Sequence, residues 1–200
     1  MPFVDPETVL KDREGKEVLA RDLTSSRPAL VVVLRRPGCL ICRDQAVAIW
    51  EARETLTEVC GGGQTGTKAS KPPVRLCVVV HEWKEREIKA FESYWHGEIF
   101  FDETKAFYRA VHGGELKRGS VLSLLNPFSK AWANVRQAKG AGRVAEQNFE
   151  GDGLTLGGLA ILDVGGDATY VFQERNLGDR ASLTEVSRQL SHLYSVMYHS

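Results

Sequence analysis

The order of apolar and amphipathic segments predicts an α/β sandwich. It has a mixed central sheet with flanking helices, an N-terminal hairpin and a helical insert before the last hairpin. Three observations carry that reading. Residues 29–34 (ALVVVL) and 74–80 (VRLCVVV) are short, β-branched and apolar on both alternating faces, as strands covered on both sides are. Each is followed by a stretch with apolar residues at helical spacing. Near the C-terminus, two strand-like runs flank Gly165-Gly166-Asp167, a hairpin signal.

Taken in order, residues 8–10 and 17–20 form a small hairpin across a polar turn at 11–15, and 22–26 a short helix or turn. The strand at 29–34 runs into Arg35-Arg36, and Pro37-Gly38 stops it. From Cys39 to about residue 60 the pattern is helical, with Ile41, Ala46, Ile49 and Trp50 inward and Arg43, Asp44, Glu51 and Arg53 on the other side. Residues 61–73, rich in Gly, Ser, Thr, Lys and Pro, read as an exposed, mobile loop within the same unit. After the second strand come a helix at 82–95 (Trp83, Ile88, Phe91 and Trp95 inward), a strand at 99–101 and a helix at 104–111. The insert at 113–153 holds one or two helices around Val121 to Val135, interrupted by Asn126-Pro127. Packing over the sheet, a lid, a dimer surface and a membrane-touching helix all remain open for it. Strands at 154–163 and 168–173 and a helix at 183–194 complete the chain.

Two hundred residues read as a single domain, 1–200, large enough to bury a core without disulfides or metal. Lys and Arg (26) balance Asp and Glu (26), so no bulk charge draws the chain to nucleic acid or an acidic membrane. No apolar run approaches the roughly 20 residues of a bilayer span. The first residues, Met1-Pro2-Phe3-Val4-Asp5-Pro6-Glu7, lack the basic and apolar regions of a signal peptide. A soluble, cytoplasmic protein is expected, and there a Cys-x-x-Cys is more often catalytic or metal-binding than a permanent staple.

Cys39 and Cys42 are the candidate catalytic residues. They lie three apart on the first turn of a helix, at the C-terminal end of a buried strand, where the helix dipole and unpaired N–H groups favour a thiolate. A zinc or iron–sulfur site needs two further ligands, and Cys60 and Cys77 form no second pair, so no metal is expected. Cys60 and Cys77 read as small core hydrophobes, with an auxiliary thiol as the alternative for Cys60. Arg36 and Arg43 flank the pair and are the candidates to hold a thiolate or steer an anionic substrate; solvated surface charge is the alternative. His81 is a candidate base or a plain strand-end histidine, and His96, His112, His192 and His199 show no ligand spacing.

The order strand, Cys-x-x-Cys, helix, strand, helix, insert, hairpin, helix resembles a thioredoxin fold. More narrowly the chain resembles the peroxiredoxin-like 2 family, the selenoprotein-U-like branch of the alkyl hydroperoxide reductase/thiol-specific antioxidant superfamily. Arg35-Arg36-Pro37-Gly38-Cys39-Leu40-Ile41-Cys42-Arg43 carries the resemblance first, then Gly97-Glu98-Ile99-Phe100-Phe101-Asp102 with Phe107-Tyr108. Asn148-Phe149-Glu150-Gly151-Asp152-Gly153, Leu156-Gly157-Gly158, and Glu174-Arg175 with Gly178-Asp179 follow in order. The resemblance implies a thioredoxin-like fold, redox-active cysteines, a cytosolic setting and an antioxidant role. For one branch it implies reduction of prostaglandin-type endoperoxides at the expense of NADPH.

The peroxiredoxin pattern Thr-x-x-Cys would align its threonine with Cys39 and its attacking cysteine with Cys42, and Arg35 stands where that pattern has a proline. The departures favour a dithiol–disulfide couple, with Cys39 as nucleophile and Cys42 as resolving thiol. Gly157 and Gly158 stand where thioredoxins carry a cis-proline and peroxiredoxins an arginine. They leave room for a bulkier substrate or simply form a tight packing turn.

Three functions are therefore in play. The first is a thiol-dependent oxidoreductase acting on peroxides or disulfides; the second is an endoperoxide reductase of the prostaglandin-F-synthase kind. The third is a non-catalytic, redox-responsive interaction protein. No bound cofactor is expected. The expected partners are a thioredoxin- or glutathione-type reductant and a peroxide or disulfide substrate, not nucleic acid, for a monomer or homodimer. Gly61-Gly62-Gly63 follows no strand, so any NADPH would act indirectly or through an unusual site.

Overall fold

The computed structural model describes residues 1–56, 74–120, 130–148 and 150–199. The expected loop at 61–73, Cys60 and the Asn126-Pro127 interruption lie outside them.

Strands β1 (Val9–Lys11) and β2 (Glu17–Leu19) form the expected hairpin, and a 3-10 turn at Ala20–Leu23 follows. Then come β3 (Ala29–Val33), α1 (Leu40–Glu51), β4 (Arg75–Val80), α2 (Glu85–Phe91), β5 (Glu98–Phe101) and α3 (Ala106–Val111). The remainder is α4 (Lys130–Ala141), β6 (Gly158–Leu162), β7 (Ala168–Gln173) and α5 (Leu183–His199). The described strands make one mixed sheet in the order β2-β1-β5-β4-β3-β6-β7. β3, β4 and β5 run parallel; β6 pairs antiparallel with β3, and β7 with β6.

Strand β3 is flanked on both sides, by β4 and β6, and every one of its residues is buried. Alternation sends Leu30 and Val32 to one core and Val31 and Val33 to the other. The first core is completed by Ile41 and Ile49 of α1, Ile88 and Phe91 of α2, and Val186 and Leu190 of α5. The second is completed by Leu10, Leu23 and by Phe107, Tyr108 and Val111 of α3. The Tyr108 hydroxyl donates to the Leu34 carbonyl at 2.6 Å, tying α3 to the end of β3.

Several expectations need correction. The strand expected over 154–163 is limited to Gly158–Leu162, because Asp152 caps the preceding stretch, accepting from the N–H groups of Leu154 (2.9 Å) and Thr155 (3.2 Å). The helix expected over 82–95 is only Glu85–Phe91, although Trp95 is buried as expected. Within the insert, α4 lies against α1, with Val135 packed on the first core. The outward face assigned to Arg43 and Asp44 is overturned, because both are fully buried. Asp44 is stabilised there by Arg180 (2.6 Å) and Arg143 (3.0 Å), so charge pairing takes the place of solvent.

Candidate active site

Strand β3 delivers Arg35-Arg36-Pro37-Gly38 to the C-terminal end of the parallel strands, where α1 begins. Cys39 is the N-cap of α1 in extended geometry, its carbonyl accepting from the Arg43 N–H at 2.9 Å, and Cys42 lies in the first turn. Both are buried free thiols.

The turn before them is clamped from outside. The Asn148 N–H donates to the Gly38 carbonyl at 3.0 Å, and its side-chain amide donates to both oxygens of Glu87 at 2.8 Å. A Cβ on Gly38 would run into that amide and carboxylate, so a side chain there would push the clamp aside. Arg43 belongs to the same clamp. Its Nε donates to the Pro37 carbonyl at 2.7 Å and its Nη1 to the Glu146 carbonyl at 2.6 Å, while Nη2 lies 3.7 Å from Glu87. Arg43 thus shapes the loop, and its donors point away from the sulfurs it was expected to hold.

The arginine on the sulfurs is Arg35. Its Nη2 is 2.8 Å from Cys39 Sγ and 3.9 Å from Cys42 Sγ, and Nη1 reaches the Gly153 carbonyl at 3.4 Å. The Cys42 thiol, and then the fields of Arg35 and Arg36, hold Cys39 well below the ordinary thiol range. Donating to Cys39, together with burial, pushes Cys42 well up. Both directions favour the charge on Cys39 and the proton on Cys42. Arg36 lies against Gly153, and its field adds to the lowering of Cys39.

Cys39 opens on a cavity of about 380 Å³ between the start of α1 and α4. Leu40, Ile41, Trp132, Val135, Leu154 and Leu177 give it apolar walls, while Arg35, Arg36, Lys139 and Gln147 supply its polar groups. Cys42 does not line it.

Gly157 and Gly158 leave no room for substrate. A Cβ at Gly157 would strike the Val33 carbonyl, and one at Gly158 the Phe172 carbonyl and Val111 side chain; strand packing requires both glycines. The Gly157 N–H does something else. It donates at 3.0 Å to Glu174, a buried carboxyl whose pKa burial raises to about 7 against the opposing field of Arg35. Glu174 escaped the sequence reading of the site, although it falls in register with inward-facing Tyr170 and Phe172. A carboxyl on that face was the available signal.

His81 is buried with Nε2 3.6 Å from Asp152 and its ring on Tyr108; burial, and then Lys105, lower its pKa. His96 lies against Trp50. Cys77 sits in the core, where burial raises its pKa to about 12. Among the described residues no three His, Cys, Asp or Glu side chains gather as a metal site, and no helix is long and apolar enough to cross a membrane.

A sequence model of the AhpC/TSA antioxidant enzyme family matches residues 65–176, a stretch that begins after Cys39 and Cys42. Peroxiredoxin-like 2A of Xenopus tropicalis is 33% identical over 174 residues, covering 86% of this chain and 67% of that protein. The Rattus norvegicus protein of the same name is 31% identical over 176 residues, covering 88% of this chain and 68% of its own length. Among solved structures, peroxidoxin BcpB from Mycobacterium tuberculosis superimposes with a TM-score of 0.58 at 12% identity, over 96% of this chain and 98% of that one. A reduced 2-Cys peroxiredoxin from Plasmodium vivax gives 0.56, also at 12% identity, over 96% and 80%. These structural likenesses establish the thioredoxin-like fold.

Proposed function

Because this chain belongs to the AhpC/TSA antioxidant enzyme family, in its peroxiredoxin-like 2 group, we propose that it is a thiol-dependent oxidoreductase. Cys39 and Cys42 cycle between dithiol and disulfide, reducing peroxides or disulfides in an antioxidant role. The 2.8 Å contact of Arg35 with Cys39, against 3.9 Å to Cys42, carries the reading. It supports Cys39, the sulfur that also lines the cavity, as the attacking thiolate.

With a peroxide, the Cys39 thiolate attacks one oxygen: an S–O bond forms, the O–O bond breaks, and the departing alkoxide takes a proton. Arg35 offers a donor where that charge develops. The Cys42 sulfur then displaces the hydroxyl from the Cys39 sulfenic acid, its own proton leaving with that hydroxyl as water. With a disulfide, attack by Cys39 gives a mixed disulfide that Cys42 resolves. An external thiol of the thioredoxin or glutathione system, supplied indirectly by NADPH, restores the dithiol. A cytoplasmic setting is part of this reading.

The test is a thiol count with trapping. One equivalent of peroxide is expected to consume two thiols. Cys42→Ser is expected to accumulate a mixed disulfide with a thiol probe that Cys39→Ser does not form. An unchanged thiol count overturns the proposal.

The apolar cavity beside Cys39, with Arg36 and Lys139 on its lining, supports a second reading, an endoperoxide reductase acting on an apolar, anionic substrate. Turnover of NADPH by the purified protein alone on an endoperoxide separates the two.

A further inference from the structure

Glu174 is a buried carboxyl at the end of β7, and among the described residues it makes no salt bridge. Among the described residues its carboxyl accepts one hydrogen bond, from the Gly157 N–H, and its backbone N–H in turn donates to the Gly157 carbonyl at 3.2 Å. The charged and titratable groups around it come from four places: Arg35 after β3, Cys39 and Cys42 at the start of α1, Tyr108 of α3, and Asp179 in the loop after β7. Among these Arg35 is the cation, and its guanidinium is already committed to the Cys39 sulfur at 2.8 Å. Two acids, Cys39 and Glu174, therefore compete for one buried positive charge.

We propose that Glu174 is the redox-linked proton store of this site, protonated while Cys39 carries the thiolate charge and ionised once the disulfide removes it. The inference rests on the dithiol cycle proposed above. Glu174 touches neither sulfur nor the cavity and acts through Arg35, so it is a positioning residue. The step balances. The Cys39 thiolate, the Cys42 thiol and the Glu174 carboxylic acid become the disulfide and the Glu174 carboxylate, releasing two protons and two electrons. A hydroperoxide takes up both electrons and both protons to become an alcohol and water. One of the two protons its reduction requires matches the proton of Cys42, and the other is balanced through solvent by the proton Glu174 gives up when the Cys39 charge is lost. The raised pKa of Glu174 in the reduced site, from burial and the Cys39 charge, agrees with this order.

The experiment equilibrates the protein with dithiothreitol, whose thiol pair releases two protons on oxidation over about pH 6 to 8. In the wild type, reduction of the disulfide takes up two protons below about pH 7, so the equilibrium constant is flat there and rises tenfold per pH unit above. In Glu174→Gln only one proton is taken up, and the tenfold rise per unit extends over the whole range. A wild type that follows the variant's line overturns the role of Glu174 and leaves the dithiol cycle standing. Failure to form any disulfide overturns both. A second measurement needs no variant. The reduced-minus-oxidised infrared difference spectrum of the wild type near pH 6 should show a protonated carboxyl band lost on oxidation, and its absence overturns the proposal.

Discussion

Arg35 and Arg43 carry the same charge and both lie inside the protein, yet they serve opposite ends of one loop. Arg35 meets the Cys39 sulfur, while Arg43 is committed to the Pro37 and Glu146 carbonyls. Removing Arg35 takes a charge-assisted hydrogen bond from the thiolate. Arg35→Met is therefore expected to raise the Cys39 pKa and slow its alkylation by iodoacetamide near pH 6 about ten- to a hundredfold. Arg36→Met should change it less, and an equal loss in both variants would place the charge effect elsewhere. Glu174 makes a pH prediction. Its folded pKa of about 7 lies above the ordinary 4.5. Its contribution to stability is therefore fully present below about pH 4.5 and is lost as pH rises towards 7. Relative to wild type, reduced Glu174→Gln should gain up to about 3 kcal/mol between pH 5 and 8, read from urea midpoints.

At the scale of the element, the start of α1 depends on a clamp rather than on a side-chain cap. The Asn148, Glu87 and Arg43 side chains close over the Pro37-Gly38 turn. Arg43→Met should lower stability by about 3–5 kcal/mol, because it leaves the Glu87 carboxylate buried without its cation and two carbonyls without a donor. The Cys39 pKa should move less than in Arg35→Met. A variant that unfolds at the wild-type urea midpoint would refute the clamp. Gly38→Ala should cost about 1–3 kcal/mol by collision with Asn148. Asn148→Ala in the same chain should recover part of that loss.

For the whole molecule, the decisive juxtaposition is α4 against α1, two elements far apart in the chain that together wall the cavity on Cys39. Filling that space tests what the cavity is for. Val135→Trp should reduce kcat/KM for a bulky organic hydroperoxide by roughly 10- to 200-fold while leaving hydrogen peroxide nearly unchanged. Equal losses for both substrates would show that the cavity takes no part in substrate choice.

The chain order alone determined the α/β sandwich, the hairpins at either end, the buried strand 29–34 and the thiol pair at its exit. All are local consequences of apolar period, turn residues and helix position, which neighbouring residues encode directly. Partner choice is not local. Arg35, Arg36 and Arg43 are equivalent cations in sequence. Only the packing of β3 and α1 against the Glu146 and Gly153 carbonyls determines which one meets a sulfur. The same holds for Asp44, which the helical period puts outward and Arg143 and Arg180 pair with, and for Gly157-Gly158, whose lack of side chains admits neighbouring strands instead of substrate. Glu174 is the sharpest case. As a residue it is a strand-end carboxylate. Its unpaired burial beside Arg35 exists only once β6 and β7 are paired, because desolvation and Coulomb fields depend on distance through space, not along the chain.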